Sequence, residues 1–578
     1  MTKGRSWGTI CLTVLAALAA AGPSSAASGI GPLQPTVGTA AAFDTSPPLR
    51  TMQPIERPAD FAQVIKPTRP QGPVGDERHD ADGALQTTAA PTPPGPVSGP
   101  LFTFEGPSNT DNFNIFGFRV NPPDPVGDVG QHHYVAMVNL VFSVYSKTGT
   151  LLGGPFDTGT LWQGFPIEDC TDPSGDPIVV YDEISNRWYL TQFTTRFTAV
   201  PENDRFYNCV AVSTTSDPLG SYHRYAFPTG NFFPDYPKYG VMPDGLYITT
   251  REFGPTAADY RIGIYAINRH QLTEGNPTPT VVSFYLTDGV EPLNLLGDGL
   301  LPADLDGKRH PPPHSPEYFA GTQDDGGGYG GTFDAINFFE ADVDFAHPAN
   351  STFALTKQIP VAPFDSIYPC GVTPGQPPPN QPNARDCLPQ PGITDGSRFL
   401  DILSYRQRPT WRLQYRNFKT HESLVTNQSV EAAPFVAGVR WYELRNPRNP
   451  VIHQQGTYAP GDGVHRWMGS VAMDKQGNLA AGYSVVNGTN VFPGIRYTGR
   501  LASDPLGQLT QPEQVLQAGS GVQTTVNSRW GDYTSLNVDP RDDCTFYYIN
   551  EYYTAASQAT SPAGWLNRIG AFKFPGCR

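Results

Sequence analysis

Beyond residue 21 the chain has no apolar run long enough to cross a bilayer as a helix, and no apolar pattern of period 3.6 persists for three turns. Membrane helices and a helical bundle are therefore not expected. Cysteines are few, seven in 578 residues, with no Cys-x-x-Cys pair and no clustered histidine. That leaves no ligand set for structural zinc. Nucleophile-elbow and Walker patterns are missing, and the glycines from Gly326 to Gly331 precede no helix, so they do not form a nucleotide phosphate loop. Basic residues are in deficit, 39 against 54 acidic ones, for a net charge of −15. Such a surface disfavours nucleic acid and anionic membranes, neither of which is expected as a partner.

The first residues read as an export leader. Lys3 and Arg5 precede an apolar stretch from Ile10 to Ala21, and Ser24–Ala26 supplies a small-x-Ala cleavage site. Cys11 has no lipobox before it, so no lipid anchor is expected. Residues 1–26 are thus assigned as signal peptide and the mature chain as secreted, extracellular or periplasmic. Residues 27–98 are dominated by Pro, Ala, Thr and Gly. They cannot bury enough apolar surface to offset ordering entropy of roughly 1–2 kcal/mol per residue. This segment is expected to be a disordered spacer, with a propeptide as the alternative.

From 99 to 578 the texture turns to Tyr, Phe, Trp and Val punctuated by turn residues. Gly175–Asp182, Tyr236–Asp244, Arg466–Asp474 and Arg529–Asp539 repeat one pattern, and Pro125–Asp128 is a looser copy. Each complete copy runs from a small or charged entry through an apolar stretch to an Asp, and a second strand follows at once. Recurring strand pairs that bury their faces only against neighbours predict an all-β propeller. The length suits seven blades of four antiparallel strands, with six or eight left open. Asp182, Asp474 and Asp539 are expected to accept turn N–H groups. The blade order pairs the six remaining cysteines sequentially, as Cys170–Cys209, Cys370–Cys387 and Cys544–Cys577.

Arg466–Asp474, Ile495–Arg500, Arg529–Tyr533, Asp542–Tyr548 and Asn417–Val425 together resemble the secreted sialidase, or Asp-box, superfamily. The Asp box itself is degenerate, since Asp539 precedes Thr545 by six positions instead of four. The resemblance implies a Tyr activated by a Glu and a three-Arg clamp, for which Glu551, Tyr552, Arg251, Arg466 and Arg529 are the matching residue types, with Asp176 as an acid.

If first strands enter at one face, their entries gather Asp128, Asp176, Asp235 with Lys238, His421 with Glu422, Arg466, and Arg529 with Asp532 there. The ends of the second strands add Arg251 with Glu252, and Glu551 with Tyr552. Asp176, Glu551, Tyr552, His421 and Glu422 are the catalytic candidates. Asp235, Lys238, Arg251, Arg466, Arg529 and Asp532 are the substrate-binding ones. His421–Glu422 would suit proton abstraction in a polysaccharide lyase. Each residue also has a structural reading, as a turn cap or an inter-blade bond. No cofactor is expected; calcium, if bound, would be structural, with Asp304, Asp306, Asp342 and Asp344 in suitable loops. The expected protein is a monomeric propeller acting on extracellular polysaccharide or glycoconjugate, as a glycoside hydrolase or a lyase. The alternative is a non-catalytic propeller that binds a glycan or protein surface.

Overall fold

The computed structural model describes residues 32–55, 57, 81–86, 96–195, 206–256, 259–287, 299–326, 331–366, 386–401, 408–525 and 527–578. Strand is the dominant regular structure of these residues, with only three short α-helices, and no helix among them is long and apolar enough to cross a membrane.

The strands form a succession of antiparallel sheets, each beginning with an inner strand. In chain order these inner strands are Val126–Val129, Val179–Asp182, Phe233–Val241, Leu301–Leu305, Thr410–Asn417, His465–Met473 and Ser535–Val538. Each touches the next, and Ser535–Val538 returns to Val126–Val129, so they close a ring. The fold is β-propeller-like. Leu301–Leu305 and Thr410–Asn417 pair directly, in parallel, joining two sheets into one of eight strands. The last sheet is completed by Phe102–Glu105, which pairs with Leu566–Lys573 and ties the start of the ring to its end.

An inner strand offers an unpaired edge to the ring axis, and buried N–H and C=O groups on it must find partners. Side chains of neighbouring inner strands supply them. Asp128 Oδ2 accepts from Tyr181 N–H (2.7 Å) and Asp304 Oδ1 from Val241 N–H (3.0 Å). Gln414 Oε1 accepts from Met473 N–H (2.6 Å), and Ser470 Oγ from Leu536 N–H (3.0 Å). Ser535 Oγ accepts from Gly127 N–H and donates to Gly127 O. Polar residues in these strands therefore stitch sheet to sheet while Val, Leu and Tyr fill the space between.

At the exit of the inner strands the chain turns on aspartates. Asp182 Oδ1 accepts from Ile184 and Ser185 N–H, Asp474 Oδ1 from Gln476 and Asn478 N–H, and Asp539 Oδ1 from Arg541 N–H. In the Asp474 turn Gly477 takes φ +82°, a conformation open to glycine at little cost. Two of the expected disulfides are present, Cys170–Cys209 (Cα–Cα 6.0 Å) and Cys544–Cys577 (5.7 Å). The pairing of Cys370 with Cys387 lies outside the described residues.

Two differences from the sequence reading stand out. Parts of the segment expected to be a spacer instead extend the sheets. Ala42–Thr45 pairs with His223–Ala226, and Thr36–Gly38 with Val281–Ser283, giving these two sheets a fifth strand. Leu49, Met52 and Val97 are buried, and the Asp82 carboxylate receives the Arg440 guanidinium (2.8 Å) with both side chains fully buried. Composition underestimates such a segment because it borrows stability from open sheet edges and a few anchors instead of building its own core. The second difference concerns His421 and Glu422, placed by sequence at a strand entry. The inner strand of that sheet ends at Asn417, and Glu422 opens the second strand. Both residues therefore lie at the exit end.

Candidate functional site

The entry end of the ring is built on a recurring local device. Asp124, Asp176 and Tyr236 each precede a proline, and all three have left-handed backbone, with φ of 46°, 43° and 53°. Proline denies the preceding residue the right-handed helical conformation. The resulting bend at each entry sends a side chain or an N–H group toward the adjacent sheet. Asp532 N–H donates to Asp124 Oδ1 (2.6 Å), and Asn139 Nδ2 donates to Asp124 Oδ2 (2.7 Å). Asn139 Oδ1 accepts from Asp176 N–H (2.9 Å), and Asp176 Oδ2 accepts from Tyr236 N–H (3.1 Å). One continuous polar chain thus spans the entries of the last, first, second and third sheets.

Glu551 stands beside this chain at the end of Thr545–Tyr552. Its side chain is fully buried, Oε1 accepts from Gly531 N–H (2.6 Å), and Oε2 has no hydrogen-bond partner among the described residues. Burial pushes its carboxyl well above the usual carboxylate range, and the nearby charges of Asp124 and Asp532 push the same way. Asp532 is ion-paired with Arg529. A buried carboxyl biased toward its protonated form thus lies beside a carboxylate paired with a guanidinium, the kind of asymmetry that acid–base chemistry uses.

Aromatic rings and cations fill the centre. Lys238 Nζ lies 3.4 Å from the Tyr236 ring centroid and 4.3 Å from that of Tyr533, and donates to Pro237 O (2.9 Å). The Arg408 guanidinium lies 4.6 Å from the Tyr236 centroid. Asp235 and Arg251 face each other across two strands of the third sheet, 3.7 Å apart.

The structure separates several candidates that sequence had grouped. Adjacent strand residues point to opposite faces, so Tyr552 turns away from Glu551 and donates instead to Glu105 Oε1 (2.9 Å). A nucleophilic Glu551–Tyr552 pair is not formed. Arg466 has no exposed surface and is held by Asp462 and Glu513 (2.7 Å each) within its own sheet, so it is a structural ion pair and no part of a clamp with Arg251 and Arg529. Glu252 is buried against Arg261, Tyr265 and Thr250. Asp128 lies deeper in the ring, near Arg412. His421 stacks on Phe418 (5.0 Å), and Glu422 accepts from Tyr415, at the opposite end from Glu551. Of the calcium candidates, Asp304 and Asp306 are engaged by Arg412, and Asp344 caps the turn to His347. Asp324, Asp325 and Asp334 cluster as well, but Asp324 and Asp334 oxygens already accept from Gly326, Ser366, Asp325 and Phe364 N–H groups.

Sequence reasoning missed Asp124, Asn139, Tyr236, Arg408 and Tyr533. A signal for three of them exists. Asp124-Pro125, Asp176-Pro177, Tyr236-Pro237 and Arg408-Pro409 place a residue of the entry cluster directly before a proline at four entries. Asn139 and Tyr533 carry no comparable local mark.

No family model matches the chain, and no curated protein sequence matches it. Solved structures do. An α-L-arabinanase of Penicillium chrysogenum complexed with arabinobiose matches at 12% identity, covering 60% of this chain and 94% of that one, with a TM-score of 0.30. A family-43 β-1,3-galactosidase matches at 11% identity over 83% of this chain and 95% of its own, with a TM-score of 0.28. The endo-arabinase of Bacteroides thetaiotaomicron matches at 11% identity over 57% and 95%, with a TM-score of 0.26. The named structures are glycosidases of other families than the sialidases. At such scores the likeness carries no argument for chemistry, which rests on the side chains themselves.

Proposed function

We propose that the ring is a seven-bladed propeller, two of whose blades gain a fifth strand from the N-terminal arm, and that it is an exported glycoside hydrolase whose acid is Glu551. The observation that carries this reading is the Glu551 carboxyl, buried with one oxygen unpartnered beside the Arg529–Asp532 ion pair, where burial pushes it well above the usual carboxylate range. Glycoside cleavage needs one carboxyl group that arrives protonated and another that stays ionised. Glu551 donates its proton to the glycosidic oxygen from Oε2, the oxygen that accepts no hydrogen bond among the described residues. Asp532 serves the anomeric carbon, directly or through a water, and Arg529 holds its charge. Asp176, Asp235 and Arg251 line the same entry and contact sugar hydroxyls of an extracellular polysaccharide or glycoconjugate. The lyase version loses its support, because its base, His421, lies at the far end of the ring.

A second reading, a non-catalytic glycan or protein binder, draws on one observation. The exposed phenylalanine rings among the described residues, Phe113 and Phe435, both lie on the entry face. Purified protein should be incubated with a panel of polysaccharides, scoring new reducing ends and unsaturated uronates together. New reducing ends that disappear in Glu551→Gln support hydrolysis. Retained binding without turnover hands the function to the second reading.

A further inference from the structure

The entry of the ring is closed across its own axis. Tyr236 belongs to the third sheet and Tyr533 to the approach of the last, and these two sheets are not neighbours. Yet Lys238 Nζ contacts both rings, Tyr533 Oη donates to Pro177 O of the second sheet (2.9 Å), and Tyr236 Oη reaches Asp532 O (3.4 Å). These contacts span the axis, where the stitches of the inner strands only run around it. The ammonium at their centre has no exposed surface. An ammonium offers three donors; one goes to a carbonyl, and the two ring faces lie against the same charge, an attraction that strengthens when the cation is desolvated.

We infer that Lys238 is a positioning residue of the entry site: its charged ammonium draws Tyr236 and Tyr533 together across the ring axis and so holds Asp176 and Asp532, bonded to those same segments, in working register. This rests on the proposed hydrolase reading for its consequence, though not for its geometry. The charged groups that face Lys238 come from four elements. Asp176 precedes the second inner strand, Asp532 the last, Asp124 the first and Arg408 the fifth. The three carboxylates favour the ammonium and Arg408 opposes it, while burial outweighs them and brings the group down to about 7. The keystone therefore loosens as pH rises through neutrality, when the amine loses its charge and the rings lose their cation.

The test follows the rings directly. Near-ultraviolet circular dichroism of the full chain, recorded from pH 5.5 to 9, should show a tyrosine transition centred near pH 7. Lys238→Met should lack it and resemble the high-pH wild type throughout, while Lys238→Arg, which stays charged, should keep the low-pH signal to pH 9. If the Met variant does not fold, the Arg variant alone decides. A transition unchanged in either variant, or none in the wild type, overturns the inference. Where a substrate is found, the alkaline limb of its kcat profile should shift upward in Lys238→Arg; an unmoved limb would overturn the positioning role. Absence of any turnover would sink the hydrolase reading and leave the dichroism result to judge the keystone alone.

Discussion

At their entry ends the inner strands send carboxylates and rings outward to other sheets and across the axis. At their exit ends aspartates of the same kind fold back onto their own turns. Asp176 accepts from Tyr236 N–H, whereas Asp474 accepts from Gln476 and Asn478 just beyond it. Between the two ends sits a third arrangement, the fully buried Arg412 joined to Asp304 and Asp306. A single scaffold thus spends similar residues on three tasks: local turn closure, ring cohesion, and an entry cluster whose buried acid keeps one oxygen unpartnered. The difference teaches that residue type does not mark function here.

The largest separation between the regions should come from the middle of the ring. Arg412→Met leaves Asp304 and Asp306 buried without their cation, and breaking such a pair typically costs about 3–5 kcal/mol. Urea unfolding should show that loss. A drop under about 1 kcal/mol would mean that the axis is hydrated enough to screen these charges. At the entry the expectation reverses. Glu551→Gln should lower turnover by about a hundredfold or more, as loss of an acid–base group does, with little change in unfolding midpoint. A destabilised but active variant would return Glu551 to the fold and erase the contrast.

Much of the architecture was legible because it is written in local periodicity. The apolar run, the Asp turn and the second strand recur at Gly175–Asp182 and Arg529–Asp539, and each turn is closed by its own aspartate. Cys170–Cys209 and Cys544–Cys577 followed from strand order. The entry site was legible only in pieces. Glu551, Lys238 and Asp532 were singled out by position, but their meeting depends on sheets far apart in sequence. Tyr533 touches Lys238 only because the ring closes. His421–Glu422 went astray for a simpler reason: the strand before it carries Arg412, Gln414 and Arg416, whose polarity hid an inner strand. The fifth strands escaped because two short segments rich in Ala and Thr pair with edges that supply most of the order.

Stability against pH sharpens the comparison further. Burial brings Lys238 down to about 7 in the folded chain, against about 10.4 in the unfolded one. Between those values the unfolded chain binds the extra proton, so stability should rise with pH, by about 2–3 kcal/mol from pH 7 to 9, because relief from burying the charge outweighs the ring contacts that loosen with its loss. Lys238→Met should flatten that slope, as measured by denaturant midpoints across the range. A wild-type slope of the opposite sign would show that the ammonium is net favoured by its surroundings. At the exit end Asp474→Ala removes the acceptor for two turn N–H groups and for Asn478 Nδ2. It should cost about 1–2 kcal/mol, with turnover per folded molecule intact.

The smallest effect belongs to a half-buried turn acid. Asp542 accepts from Cys544 and Thr545 N–H and from Thr545 Oγ1, and pairs with Lys573 (2.9 Å). Burial alone would raise its carboxyl, yet these bonds together hold it down to about 2. A folded-state value below the unfolded one of about 3.9 means that the contribution is fully present above pH 4 and is lost as pH falls through 2. Asp542→Asn keeps much of the hydrogen bonding but has no carboxylate to protonate. Its stability curve should therefore lie slightly below the wild type at pH 6, by less than Asp474→Ala, and converge with it below pH 2.5. Parallel curves across that interval would mean that the turn N–H groups, and not the charge, supply what Asp542 gives this end of the ring.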